Sequence, residues 1–145
     1  MARGWLQHLR ESAIFKVEGL DAAQLRWQPT PTSNSLGVIV VHLGYSERLW
    51  LRAIGAGEQM DMAWRAHMFD LPERGMSIKL WRSTGRRVHR GDAVLDQIAS
   101  LDLPSQGTFR PTTFRWVVVH LIEETPRHVG HMDITRELLD GSLGR

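Results

Sequence analysis

Residues 112–139 read TTFRWVVVHLIEETPRHVGHMDITRELL, and this stretch decides the fold. Val117, Leu121, Leu138 and Leu139 mark a buried stripe on one long helix, starting near Pro111–Thr113 and reaching Leu139. His120, Glu124, His128 and His131 fall on the same stripe, at spacings of four, four and three. Residues three and four apart on a helix are neighbours. A carboxylate and three imidazoles thus stand where a core helix carries aliphatics. A buried carboxylate is costly unless a partner or a metal ion balances it.

Working upstream, three more stretches carry helical periodicity. Leu6, Leu9, Ala13, Val17 and Leu20 predict a helix from Trp5 to Glu18, ended by Gly19. The polar passage 21–35 holds Pro29 and Pro31 and predicts a loop with one helical turn near Ala22–Leu25. A hydroxyl among Ser33–Ser35 then caps a second helix. That helix runs to Ala53 or Ile54, with Val38, Ile39, His42, Leu49 and Ala53 on one face and Gly55 as its stop. The run VIVV has β-branched character, but the length of the pattern favours a helix.

Residues 55–75 lack periodicity and hold Met60, Met62, Trp64, His67, Met68 and Phe69. A connection of that length is either a working segment such as a lid or a crossover packed on the bundle. A third helix is expected over Met76–Leu101, weakened by Gly85 and Gly91, with a linker over Asp102–Arg110. Trp50, Trp81 and Trp116 fit helix core positions. Four amphipathic helices without a strand pattern predict an all-α four-helix bundle, with a long crossover between helices two and three. A length of 145 residues fits one domain spanning 1–145.

Composition removes several classes of function. The chain has no cysteine, which excludes disulfides, thiolate-ligated zinc, iron–sulfur clusters and a cysteine nucleophile. The charge sum is +2, too weak a field for a dedicated nucleic-acid binder. Lys79, Arg82, Arg86 and Arg90 form a basic stripe on the third helix, read as a solvated face. No apolar run approaches a membrane span or a secretory h-region, so a cytoplasmic protein is expected.

Any metal site must therefore use His, Asp, Glu or water. Glu124 and His128 stand one helical turn apart and can share one divalent cation. His42, on the apolar face of the second helix, is the natural third donor. A set of two histidines and a glutamate leaves a coordination position open, the pattern of a catalytic site. Two structural alternatives stand beside this one. His42 can be a satisfied core histidine. Glu124 can be a buried partner of a histidine or of Arg127.

Three segments carry a family resemblance: PTPTSNSLGVIVVHLGYSERLWL (residues 29–51), LDLPS (101–105) and FRWVVVHLIEETPRHVGHMDITRELLDG (114–141). Together they resemble the DinB-like superfamily, and especially an actinobacterial subgroup similar to mycothiol-dependent S-transferases and maleylpyruvate isomerases. The resemblance implies a metal held by three side chains from helices two and four, matching His42, Glu124 and His128. It implies zinc, or nickel as the other first-row choice, and an external low-molecular-weight thiol that attacks an electrophilic small molecule. A metal-dependent hydrolase is the close variant. His131 falls where many relatives carry glutamine, which makes it a neighbour of the metal ligands or a substrate-facing residue. His120 precedes Glu124 by one turn and would orient it or replace it as ligand. Pro126 departs from the pattern, since relatives commonly carry alanine there. Proline inside a helix removes an N–H and crowds the carbonyl four residues back, that of Ile122, so a kink near Glu124 is expected. The resemblance also implies homodimerisation through apolar helix faces. The rival class is a non-catalytic metal- or ligand-binding bundle linked to stress.

Overall fold

The structure is a computed structural model that describes residues 2–31, 34–61, 63, 69, 71, 91–108 and 110–144. Among these residues it is all helical, with one isolated bridge between Pro104 and Thr113. The elements are α1 (Ala2–Phe15), α2 (Ala22–Arg26), α3 (Leu36–Glu47) and α4 (Phe114–Asp140). Residues 91–97 are also helical. The third predicted helix is thus met only at 91–97, ending before Leu101. Its basic stripe and Trp81, like most of the crossover over 55–75, lie outside the described residues.

Local chemistry sets the ends of these elements. Asp21 and Gln24 cap α2 reciprocally, each side chain taking the other's backbone N–H. Ser35 Oγ accepts from the Val38 N–H at 3.3 Å and starts α3. Thr113 caps α4 in the same way through the Trp116 N–H, and Gly141 ends it at φ 76°. Beyond Glu47, α3 continues as a wider helix over Arg48–Gly55, where the Ala56 N–H donates to the Leu51 carbonyl. The predicted second helix is this continuous unit. The first helix starts and ends three residues earlier than its apolar spacing suggests. Trp5 is 56% exposed, and Val17 and Leu20 are buried from the turn that follows.

The helices pack as α1 on α4, α3 on α4 and α2 on α3. One core cluster joins Val17, Leu25, Leu36, Ile39 and Val40 to Met132. The other joins Leu6, Leu51 and Ile54 to Val117, Val118 and Leu121. Leu138, expected in the buried stripe, is 62% exposed. At about 100° per residue it lies roughly 100° around α4 from Leu121, whereas Met132 and Thr135 stay near the buried meridian. Trp116 is 38% exposed and Trp50 half-buried, so these indoles border the core instead of filling it. Their N–H groups make such a margin a favourable place for them.

Gln106 and Gly107 seal the wide end of α3. Gly107 and Gln106 donate their N–H groups to the carbonyls of Ile54 and Gly55 at 2.9 and 2.8 Å. A Cβ on Gly107 would meet the Ile54 carbonyl oxygen at 2.7 Å and the Ala53 carbonyl oxygen closer still. Gly107→Ala should therefore destabilise the fold by about 1–3 kcal/mol, the usual cost of overpacking. Urea denaturation measures this directly, and an unchanged midpoint would refute the close approach. Among the described residues no helix is long and apolar enough to cross a membrane.

Candidate metal centre

The seam between α3 and α4 gathers the residues that the spacing singled out. His42 and His128 approach with ring centroids 4.8 Å apart and planes at 66°. His128 Nε2 lies 3.6 Å from Glu124 Oε2. All three sit on the flank of α4's buried face or on the facing flank of α3. His42, Glu124 and His128 are half-buried and His131 is exposed. The carboxylate and imidazoles thus line the edge of the core and do not interrupt its centre.

His42 carries the most telling atom. Its Nδ1 is fully buried and has no hydrogen-bond partner. A buried ring nitrogen without a partner is uncommon and calls for a proton, a water or a metal ion. Phe69 stacks on the same ring at 4.9 Å and 9°. Burial, and secondarily the neighbouring His128, lowers the His42 pKa to about 4, against the pull of Glu124. Burial likewise lowers that of His128, again opposed by Glu124. Both rings are therefore neutral near pH 7, the form that ligates a cation.

Glu124 shares its carboxylate with Arg127, whose Nη1 donates to Oε1 at 3.4 Å. The alternative of a buried Glu–Arg pair is thus met only as a long contact at the surface, which leaves Oε2 facing His128. The donors are chemically right and adjacent, but they do not yet converge. Among the described residues no group of three His, Asp or Glu side chains is arranged to hold a metal ion. The orphaned nitrogen, the neutral rings and the single carboxylate fit a divalent cation once the side chains rotate to meet it.

His120 and His131 separate from this group. The His120 ring packs between Trp116, stacked at 5.0 Å, and Trp50, tilted at 4.1 Å. Arg110 lies over the Trp116 ring with Cζ 4.6 Å from its centroid. Burial lowers the His120 pKa, and the charge of Glu124 opposes that. Stacking therefore fixes His120. His131 meets the edge of His128 at 6.1 Å and turns outward into a cleft. Phe69 and Arg110 were not singled out by spacing, because each arrives from a distant segment. The Trp116–His120 pair, four apart on one helix, was legible. The helix runs unbroken through Pro126, from Phe114 to Asp140.

A family model for mycothiol-S-transferase matches residues 1–141. The chain belongs to that family. No match is found among curated proteins. Among solved structures, this mycothiol-S-transferase family member is similar to a conserved protein from Enterococcus faecalis. They share 18% identity over 97% of this chain and 96% of that one, at a TM-score of 0.76. It is also similar to a DinB-like protein from Bacillus subtilis, with 18% identity, 98% and 96% coverage and a TM-score of 0.71. At that identity the likeness establishes the fold, an all-α DinB-like bundle.

In the metal-free protein, His42 gives this family member a specific pH response. An unfolded His42 takes its proton near pH 6.5, whereas the folded one resists until about pH 4. Its contribution to stability is complete above pH 6.5 and is lost as the pH falls through about 4. NMR titration of the His42 ring should give a midpoint near 4 without metal. A midpoint near 6.5 would mean that the ring is solvated.

Proposed function

We propose that the protein is a metal-dependent S-transferase that joins a low-molecular-weight thiol of the mycothiol type to an electrophilic small molecule. The family match supports the thiol. The buried, unpartnered Nδ1 of His42 beside His128 and Glu124 supports the metal and carries the reading. His42, Glu124 and His128 would hold a divalent cation, zinc by ligand type, with nickel as the other candidate. When bound, the cation supplies Lewis acidity that keeps a thiol deprotonated near neutral pH.

The chain's own residues do the rest. With no cysteine, the nucleophilic sulfur must come from outside. Neutral His42 and His128 offer lone pairs at pH 7, and Glu124 contributes the one negative charge. Arg127 lies 3.4 Å from the other oxygen of that carboxylate, a surface contact loose enough to let it turn. Phe69 covers the His42 ring and keeps water from that side. A hydrolase would use the same donors with water in place of the thiol.

The test is elemental analysis of untagged protein, followed by assay with a low-molecular-weight thiol and 1-chloro-2,4-dinitrobenzene. About one divalent metal per chain and metal-dependent thioether formation are expected. Metal without turnover would favour a non-catalytic metal-binding bundle. The absence of uptake after incubation with zinc or nickel would favour a metal-free ligand-binding bundle, in keeping with the unclosed donor set.

A further inference from the structure

We propose that the cleft next to His128 is the seat of an uncharged, largely apolar small molecule, the co-substrate of the transferase. The term co-substrate rests on the proposed function, whereas the seat itself rests on the cleft. The cleft measures about 420 Å³, within the range of small-molecule sites. It opens between the loop before α3 and the last turns of α4. Pro29, Ile39, Ile134 and Leu138 form its apolar walls. His128 and His131 lie at one end, so an occupant would sit against the proposed metal ligands. Thr30, Asn34 and Thr135 add polar groups of no formal charge.

Two observations select the chemistry. First, none of the described residues lining this cleft is Asp, Glu, Lys or Arg. A cleft of similar scale between α1 and α4 is lined by Glu11, Lys16, Glu18 and Asp133. Along these walls a charged occupant would lose its hydration without gaining a counter-charge from any described side chain. Secondly, whereas Val129, Met132 and Leu139 on the same helix end pack on the core, Ile134 is 61% exposed and Leu138 62% exposed. With His131 and Thr135 they share one side of α4 at helical spacing, turned to the cleft. Exposed apolar side chains grouped around a concavity, with a few polar groups among them, are the composition of a ligand site.

The test uses two probes with the same nitrated ring, 2,4-dinitroaniline (uncharged) and 2,4-dinitrobenzoate (anionic). Each is titrated into the full chain and followed by amide NMR. The uncharged probe should move the amides of Ile134, Thr135 and Leu138 and bind at least about tenfold more tightly than the anion. Leu138→Asp should weaken the uncharged probe by at least about tenfold, because it places an unpaired carboxylate on the wall. The exposure of Leu138 leaves the fold of that variant intact, and circular dichroism verifies it. Equal or tighter binding of the anion, shifts elsewhere or binding of neither probe would overturn the proposal. So would sedimentation showing a dimer that Leu138→Asp dissociates, since the apolar wall would then belong to a second copy. Binding in the cleft without thioether formation would leave the seat standing and remove the transferase reading.

Discussion

Arg10→Met is expected to lower stability by about 3–5 kcal/mol, roughly 10–16 °C in Tm. Arg10 is 6% exposed and lies on the buried side of α1 between Leu6 and Ala13. Its Nε and Nη2 fork onto the two oxygens of Glu47 at 2.8 and 3.0 Å, and Nη1 donates to Asp92 at 2.8 Å. Glu47 and Asp92 are 8% and 9% exposed. Methionine keeps much of the stem volume but strands two carboxylates together in the core. Burial already pushes the Glu47 carboxyl up, with Arg10 pulling it back and Asp92 adding to the rise. Without Arg10 both remaining influences act upward. Protonating Glu47 relieves the strain, so the deficit of the variant should shrink as the pH falls. The triple change Arg10→Met, Glu47→Leu, Asp92→Leu should recover most of the loss, because an apolar core replaces a buried ion cluster at little cost. Denaturation of the three proteins across pH measures this. A deficit under about 1 kcal/mol, flat with pH, would mean that the triad behaves as a surface pair.

The second large effect follows from the metal site proposed above. Glu124→Gln should reduce metal affinity by more than about 100-fold, beyond the 10–100-fold typical of residues that only support a ligand. Glutamine keeps the shape and removes the only negative charge of the donor set. The side chain of Glu124 is 27% exposed, so this variant should melt close to the parent. His42→Ala and His128→Ala should also lose the metal. The control is His120→Phe, whose ring still fills the space between Trp50 and Trp116. It should keep the metal, with affinity lowered by at most about 100-fold if it merely supports the site. Elemental analysis and competition with a chelator give these numbers. Full metal retention in Glu124→Gln would remove the carboxylate from the site. Loss in His120→Phe equal to that in His128→Ala would move the site one turn along α4.

The bundle and the His42–Glu124–His128 neighbourhood were legible because their signals are local. A 27-residue helix announces itself by period, and donors four apart on it must share a side. The buried ion pairs were less legible. Arg10 takes its place in the stripe Leu6, Arg10, Ala13, Val17, and that spacing was a usable signal. Its partners Glu47 and Asp92 come from 37 and 82 residues away, a distance that periodicity does not report. Lys16 is similar, buried at 4% exposure and paired with Asp133 across the α1–α4 contact. Leu138 shows the opposite error, for an apolar residue at plausible spacing belongs to the cleft and not to the core. Drift around the helix over seventeen positions separates the two, and a stripe drawn by eye conceals it.

The pairing of α1 with α4 also shapes how the chain must mature on the ribosome. Arg136 donates to the Lys16 carbonyl over 120 residues, and Lys16 grips Asp133 beside it. Met132, wholly buried, fills the same cluster as Val17 and Leu20. Domains generally fold as units, and contacts so far apart in sequence form late. The α3 side of α1 can be covered early by Leu36, Ile39, Leu51 and Ile54, but until α4 emerges the side of α1 that packs on it stays open. Chaperone engagement with the growing chain should therefore persist until Met132 has cleared the exit tunnel, then drop in one step.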